Sequence, residues 1–262
     1  MMGPSTVDEM VCDLYISSAL FVILGEIIRK RTPMPVFAVK DNAVKPIVFA
    51  ATGFYLALVI MYYLPVPVAH KLCFPVGMLC VASLWLTRWE ITCALLFSAL
   101  GDLAGACGNF MLQMGSFAFA HLFFIAFFIR RYKNKVEMDG KFTSKAIGYL
   151  SMMGLCVVAL LLMAFVKVVP AVPAGMLRVG VSLYAVVICV MLFCALLQRS
   201  SLYALGALLF VMSDFMLAWT MFIEPVPCRE VLVMGNYFMG QWLLFVRATP
   251  YRVKHPVRLL RF

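Results

Sequence analysis

A chain of 262 residues that is 65% hydrophobic and 13% charged, with a mean hydropathy of +0.99, carries more apolar side chain than a water-soluble domain can hide. A soluble enzyme is excluded, and so is a membrane barrel, because the apolar residues come in long unbroken runs rather than in alternation. The net charge of +10 does not point to nucleic acid, since the basic residues cluster at the ends of apolar runs, where they meet lipid headgroups and set orientation.

These runs have the length at which a helix crosses a hydrocarbon core of about 30 Å. Nine spans are expected, at 11–28, 44–64, 70–86, 91–108, 114–130, 146–166, 176–197, 201–222 and 231–247. The expected fold is therefore all-α, a polytopic transmembrane helical bundle forming a single membrane domain over 1–262. The first run follows Asp8 and Glu9 and has no basic residue ahead of it, so it does not read as a cleaved leader. It contains Glu26 and is either an additional N-terminal span or an interfacial helix.

The second span opens at Lys45-Pro46, with proline near the helix start where its missing donor costs least, and closes on Tyr62 and Tyr63 at a membrane boundary. Pro65 and Pro67 turn the chain toward Lys71 at the entrance to the third span. The fourth span, within LLFSALGDLAGACGNF, places Asp102 in an apolar segment. Ser98 at i−4 and Asn109 at i+7 put three polar groups on one expected helical face, and the Gly101 and Gly105 spacing is expected to admit a neighbouring backbone. The fifth span carries His121, the one histidine of three inside an apolar run.

After the basic loop 130–145 the second half repeats the theme. The seventh span holds Tyr184, and the eighth, ALLFVMSDFMLAWTMF, holds Asp214 behind an LLF that echoes the fourth span. Both spans run in the same direction, so Asp102 and Asp214 are expected at matching depth, facing one cavity. The ninth span offers Tyr237 and Gln241 at i and i+4.

A carboxyl surrounded by hydrocarbon needs a partner, water or a proton, and two such carboxyls with no lysine or arginine at mid-membrane point to function. Asp102, Asp214 and His121 are the candidate catalytic groups. Lys71, Ser98, Asn109, Tyr184, Tyr237 and Gln241 are candidate substrate contacts, although polar groups in a bundle also serve to tie helices together. The nine cysteines are scattered without paired spacing and read as small packing residues. No metal set and no nucleotide loop is present, so no metal and no cofactor are expected.

At LLFSALGD, FAFAHLFFIAF, GALLFVMSD with LAWTMF, and NYFMGQ, the chain resembles the YhhN family of integral-membrane lysoplasmalogenases. The resemblance covers about residues 44–247 and extends to Lys71 ahead of Pro75. It implies eight spans, with 11–28 as an addition, and hydrolysis of the vinyl ether of a lysoplasmalogen to a fatty aldehyde and a glycerophospho-base. The partner is then a membrane lipid, within the bilayer. Vinyl ethers break by protonation of the carbon remote from oxygen, followed by water capture of the oxocarbenium. Two carboxyls, one protonated and one ionised, suit that division of labour, with His121 placing or deprotonating water. The alternative is a proton-coupled lipid or small-molecule transporter or receptor that uses the two aspartates as a relay.

In the nine-span arrangement 18 of the 22 basic residues fall on one side, which is expected to be the cytoplasm together with the carboxy terminus. Reporter fusions at Asn134 and at the carboxy terminus should therefore give the same location, and opposite locations would overturn this topology.

Overall fold

The computed structural model describes residues 41–65, 68, 70–139 and 144–254. The expected first span at 11–28 lies outside them. Eight helices longer than one or two turns run through the described residues, and no strand accompanies them. They are α1 (Asp41–Tyr63), α2 (Phe74–Leu86), α3 (Trp89–Ala106), α4 (Phe110–Asp139), α5 (Ser144–Met163), α6 (Met176–Leu196), α7 (Ser201–Phe222) and α8 (Arg229–Lys254). A 3-10 turn, Lys71–Cys73, leads into α2, and a π turn, Ala164–Val168, extends α5.

Among the described residues six segments are long and apolar enough to cross a membrane: Pro46–Tyr63, Trp89–Ala106, Phe110–Lys133, Ser151–Ala171, Met176–Leu196 and Ser201–Phe222. The expected third span is a shorter apolar helix, Lys71–Leu86. The expected ninth corresponds to α8, which is long but is diluted by Asn236, Gln241 and Arg247. Six of the described helices thus reach that length and apolarity, and the chain is a multi-pass membrane protein. Its outer surface agrees: Phe49 is 82% exposed and Leu155 71%, which water would not tolerate over so wide an apolar belt.

The helices close into a ring. α2 packs on α3, α3 on α4, α4 on α6, α6 on α7, and α7 on α8, which returns against α2; α1 lies against α2 and α8, and α5 lines the outside of α6. Hydrocarbon supplies no hydrophobic drive between helices, so this contact rests on close packing and on polar links between buried groups. The tightest crossing is between α7 and α8. A Cβ on Gly240 would stand 2.8 Å from the Gly206 carbonyl oxygen and 3.1 Å from the Phe210 nitrogen. Gly101 and Gly105 behave differently from the expectation: their missing Cβ atoms make room for the side chains of Phe117 and Gln113 of α4, not for a backbone.

The α3–α4 connection is short because each helix end is satisfied locally. Gly108 takes a left-handed φ of 74°, and the Asn109 amide donates to the Ala104 carbonyl, closing α3. Asn109 Oδ1 then accepts from the Leu112 amide at 3.1 Å and caps α4.

One end of the bundle is basic and pinned. Glu90, 1% exposed at the start of α3, is paired with Arg88 at 3.3 Å and with Arg130 at 2.6 Å, and Arg131 and Arg247 flank the Tyr203 ring at 5.1 and 5.5 Å. The opposite end carries Lys71, Asn109 and the N terminus of α8.

Gly240→Ala should lower thermal stability in detergent by about 1–3 kcal/mol, because backbone on the facing helix leaves the added methyl no room. Gly77→Ala, with nothing within 4 Å of the added Cβ, should leave the melting temperature unchanged or raise it.

Candidate active site

The two aspartates are buried, at 2% and 9% exposure, and each is met by a tyrosine from another helix. Along α3, Asp102 and Ser98 are one turn apart; along α8, Tyr237 and Gln241 are one turn apart. Because α3 and α8 run antiparallel, the two pairs match: Tyr237 Oη donates to Asp102 Oδ2 at 2.8 Å, and Gln241 Nε2 donates to Ser98 Oγ at 2.9 Å. Gln241 Oε1 is buried without a hydrogen-bond partner.

The second group draws on α4, α6 and α7. Tyr184 Oη donates to Asp214 Oδ2 at 2.8 Å, and His121 Nε2 lies 3.3 Å from the same oxygen and 3.1 Å from Tyr184 Oη. With the Tyr184 proton committed to Asp214, both neighbours of Nε2 accept, which assigns the ring proton to Nε2 when Asp214 is ionised. His121 Nδ1 then carries a lone pair, and it is buried with no partner. Orphaned polar atoms are rare in folded interiors, and here two of them, Gln241 Oε1 and His121 Nδ1, belong to the site.

Aromatic rings fill the space between the two groups. Phe210 stands 4.6 Å from the His121 ring and 5.4 Å from the Tyr237 ring, and Phe117 stands 5.7 Å from Tyr237 and 6.1 Å from Phe210.

A cavity of about 60 Å³ runs from the helix ends at Phe110 and Phe222 inward to Asp214 and Tyr184, between α4, α6, α7 and the π turn. Its walls are otherwise apolar apart from Gln113. A π turn widens one helical turn, and this one faces the cavity with Ala164 and Val168.

Asp102, Ser98, Tyr237 and Gln241 thus form one cluster, and Asp214, Tyr184 and His121 another. Lys71 and Asn109 belong to neither. Lys71 Nζ donates to the Leu64 carbonyl at 2.8 Å, closing the end of α1, and Asn109 is an exposed cap in the turn rather than the third member of a polar face, because α3 stops at Ala106. Both residues sit at the end of the bundle from which the cavity opens.

Phe117, Phe210 and Gln113 are neighbours of the site that the sequence did not single out; apolar and amide residues at helical spacing look alike wherever they point. Tyr55 was equally silent, yet its hydroxyl donates to the Phe238 carbonyl at 2.8 Å beneath Tyr237. Among the described residues no group of three His, Cys, Asp or Glu side chains has the arrangement of a metal site.

A family model described as the YhhN family matches residues 71–248. The chain belongs to the YhhN family. The matched region opens at Lys71 and takes in both clusters, whereas α1 precedes it. A stretch of 68 residues in this YhhN chain is 37% identical to human "Lysoplasmalogenase TMEM86B" and covers 26% of the chain and 30% of that relative. The chain therefore spans about a third of the length of the curated relative it matches. No solved structure matches it.

If the α3–α8 ladder holds Asp102, Tyr237→Phe and Asp102→Asn should be coupled in a double-mutant cycle of thermal stability by about 1 kcal/mol. Tyr237→Phe paired with Asp214→Asn should be closer to additive, and coupling of equal size in both cycles would count against the two-cluster arrangement.

Proposed function

We propose that this YhhN protein is a lysoplasmalogenase-like hydrolase that cleaves the vinyl ether of a membrane lysolipid to a fatty aldehyde and a glycerophospho-base. The observation that carries the reading is the pair of buried carboxyls, each held by a tyrosine hydroxyl, on either side of an aromatic wall in an apolar bundle. Family membership and the partial likeness to a protein named as a lysoplasmalogenase support the same reaction class.

The roles follow from the donors. Asp214 receives Tyr184 and His121 on one oxygen and is assigned as the carboxylate; Asp102 receives a single tyrosine and is assigned as the acid. Asp102 delivers its proton to the vinyl carbon remote from oxygen, and the resulting oxocarbenium lies against the faces of Phe117 and Phe210 and the charge of Asp214. His121 Nδ1 takes a proton from the water that adds to the cation, and the hemiacetal then collapses, its hydroxyl proton passing to the leaving alkoxide. Ser98, Gln241, Tyr184 and Tyr237 hold the two carboxyls and the glycerol hydroxyls, and the alkenyl chain extends into the cavity between α4, α6 and α7. Lys71 and Asn109 face the headgroup from the same end, and the basic end is assigned to the cytoplasm.

Detergent-purified protein given lysoplasmalogen, with the ester lysolipid alongside, should release fatty aldehyde without added metal or nucleotide and leave the ester intact. Equal turnover of both lipids would redirect the assignment to a lysophospholipase, and proton-coupled flux without aldehyde would redirect it to the transporter.

Asp102→Asn and Asp214→Asn should each lower turnover by roughly 100- to 10,000-fold, since an amide neither donates an acid proton nor carries charge. Folding should survive, because the amide keeps hydrogen-bonding capacity and removes a desolvation cost. A folded variant with near-normal turnover would remove that aspartate from the mechanism.

A further inference from the structure

Along α4, Met114 stands two turns before His121 on the same face, a rise of about 10 Å toward the helix end at Phe110. Met114 borders the cavity whose inner end is formed by Asp214 and Tyr184. Its other side is occupied. A Cβ on Gly180 of α6 would stand 2.7 Å from Met114 Cε, and among the described residues Gly180 does not itself border the cavity, so Met114 lies between the two. Met114 also packs against the small cluster of Val168, Val172 and Val181, which joins the π turn to α6.

The wall at Met114 therefore depends on the absence of a side chain behind it. Any larger residue at position 180 would drive the thioether methyl from 2.7 Å out to the 3.4–4 Å of an ordinary contact, and with the valine cluster already packed the space left to it is the cavity. A methionine side chain re-forms at little cost, so such a change alters the cavity more than the fold. Nearer the carboxyl the wall is made by a small residue, Ala218, one turn outward from Asp214 on α7. The bore is then bounded by Met114 farther out, where Gly180 and the valines leave it no retreat, and a close-packed wall registers even one added methyl.

We propose that Gly180 and Met114 form a gauge for the hydrocarbon chain of the lipid substrate: with the reacting end at Asp214 and Tyr184, a straight chain passes Met114 and a methyl-branched chain is refused there. This rests on the hydrolase reading for the identity of the ligand, but binding tests it without hydrolysis. The probes are palmitoyl and phytanoyl lysophosphatidylcholine, two ester lysolipids with one headgroup and a straight or a methyl-branched chain, each titrated into the purified full-length protein by calorimetry.

Wild type should bind the straight-chain lipid about tenfold more tightly, the size of a modest overpacking penalty. Gly180→Val should weaken the straight-chain lipid by about tenfold, and adding Met114→Ala to that variant should restore it. Met114→Ala alone should strengthen the branched lipid and erase most of the preference. The restoration separates a gauge from a structural role, because a fold damaged at Gly180 is not mended by truncating a second residue. Thermal scans of the same preparations check that each variant is folded, and if Gly180→Val is not, Gly180→Ala carries the same test, since its single Cβ already meets Met114. Unchanged straight-chain affinity in a folded Gly180 variant, a loss that Met114→Ala does not restore, or equal affinity of wild type for the two lipids would each overturn the gauge. If vinyl ether turnover fails while the chain preference and its restoration hold, the hydrolase reading falls and the gauge stands; if turnover holds and the preference fails, only the gauge falls.

Discussion

A carboxyl within a helical bundle in hydrocarbon needs a partner, water or a proton, and here another helix donates a hydroxyl to each of the two, a demand that shapes much of this structure. Tyr237 of α8 meets Asp102 of α3, and Tyr184 of α6 meets Asp214 of α7. Each link fixes the rotation of a helix about its own axis, because a turn of one residue, about 100°, would withdraw the hydroxyl and leave the acid facing apolar side chains. The second rung on α3 and α8, Gln241 to Ser98, repeats the register one turn away, so the axial position of α8 is set as well.

The remaining geometry serves those links. Gly206 and Gly240 let α7 and α8 approach at backbone distance, which brings Phe210 against Tyr237 and joins the two carboxyl groups through a single aromatic wall. Gly108 and Asn109 close α3 and start α4 within two residues, keeping the helix that carries His121 beside the one that carries Asp102. The small residues Gly101 and Gly105 then accommodate Phe117 and Gln113, so side chains of α4 reach across α3 toward the site and its cavity.

The two ends of the bundle have different tasks. At one end Glu90 is buried between Arg88 and Arg130, and the Tyr203 ring is held between Arg131 and Arg247, a set of contacts that ties α3, α4, α7 and α8 together. A carboxylate so deeply buried would be costly to leave with one of its partners removed, which suits an anchor. At the other end the polar groups are exposed, the cavity opens, and the π turn breaks the regular surface of α5. The proposed chemistry lies nearer this second end.

By itself the sequence determined the class of the protein, its helices and the two aspartates on which a site would be built. Hydropathy is a local sum, and a carboxyl in an apolar run is anomalous whatever surrounds it, so Asp102 and Asp214 stood out without a fold. Tyr237 and Gln241 were legible as a pair because helical spacing is also local. Only the tertiary structure decided which partner belongs to which acid, since the contact from Tyr237 to Asp102 joins positions 135 residues apart and depends on helix rotation and register that no local pattern contains. The same limit explains Asn109, whose spacing from Asp102 implied a shared face until Gly108 ended the helix before it. It explains α8 too: the run 231–247 reads as a span, but which of its faces meets α3 is decided only by packing.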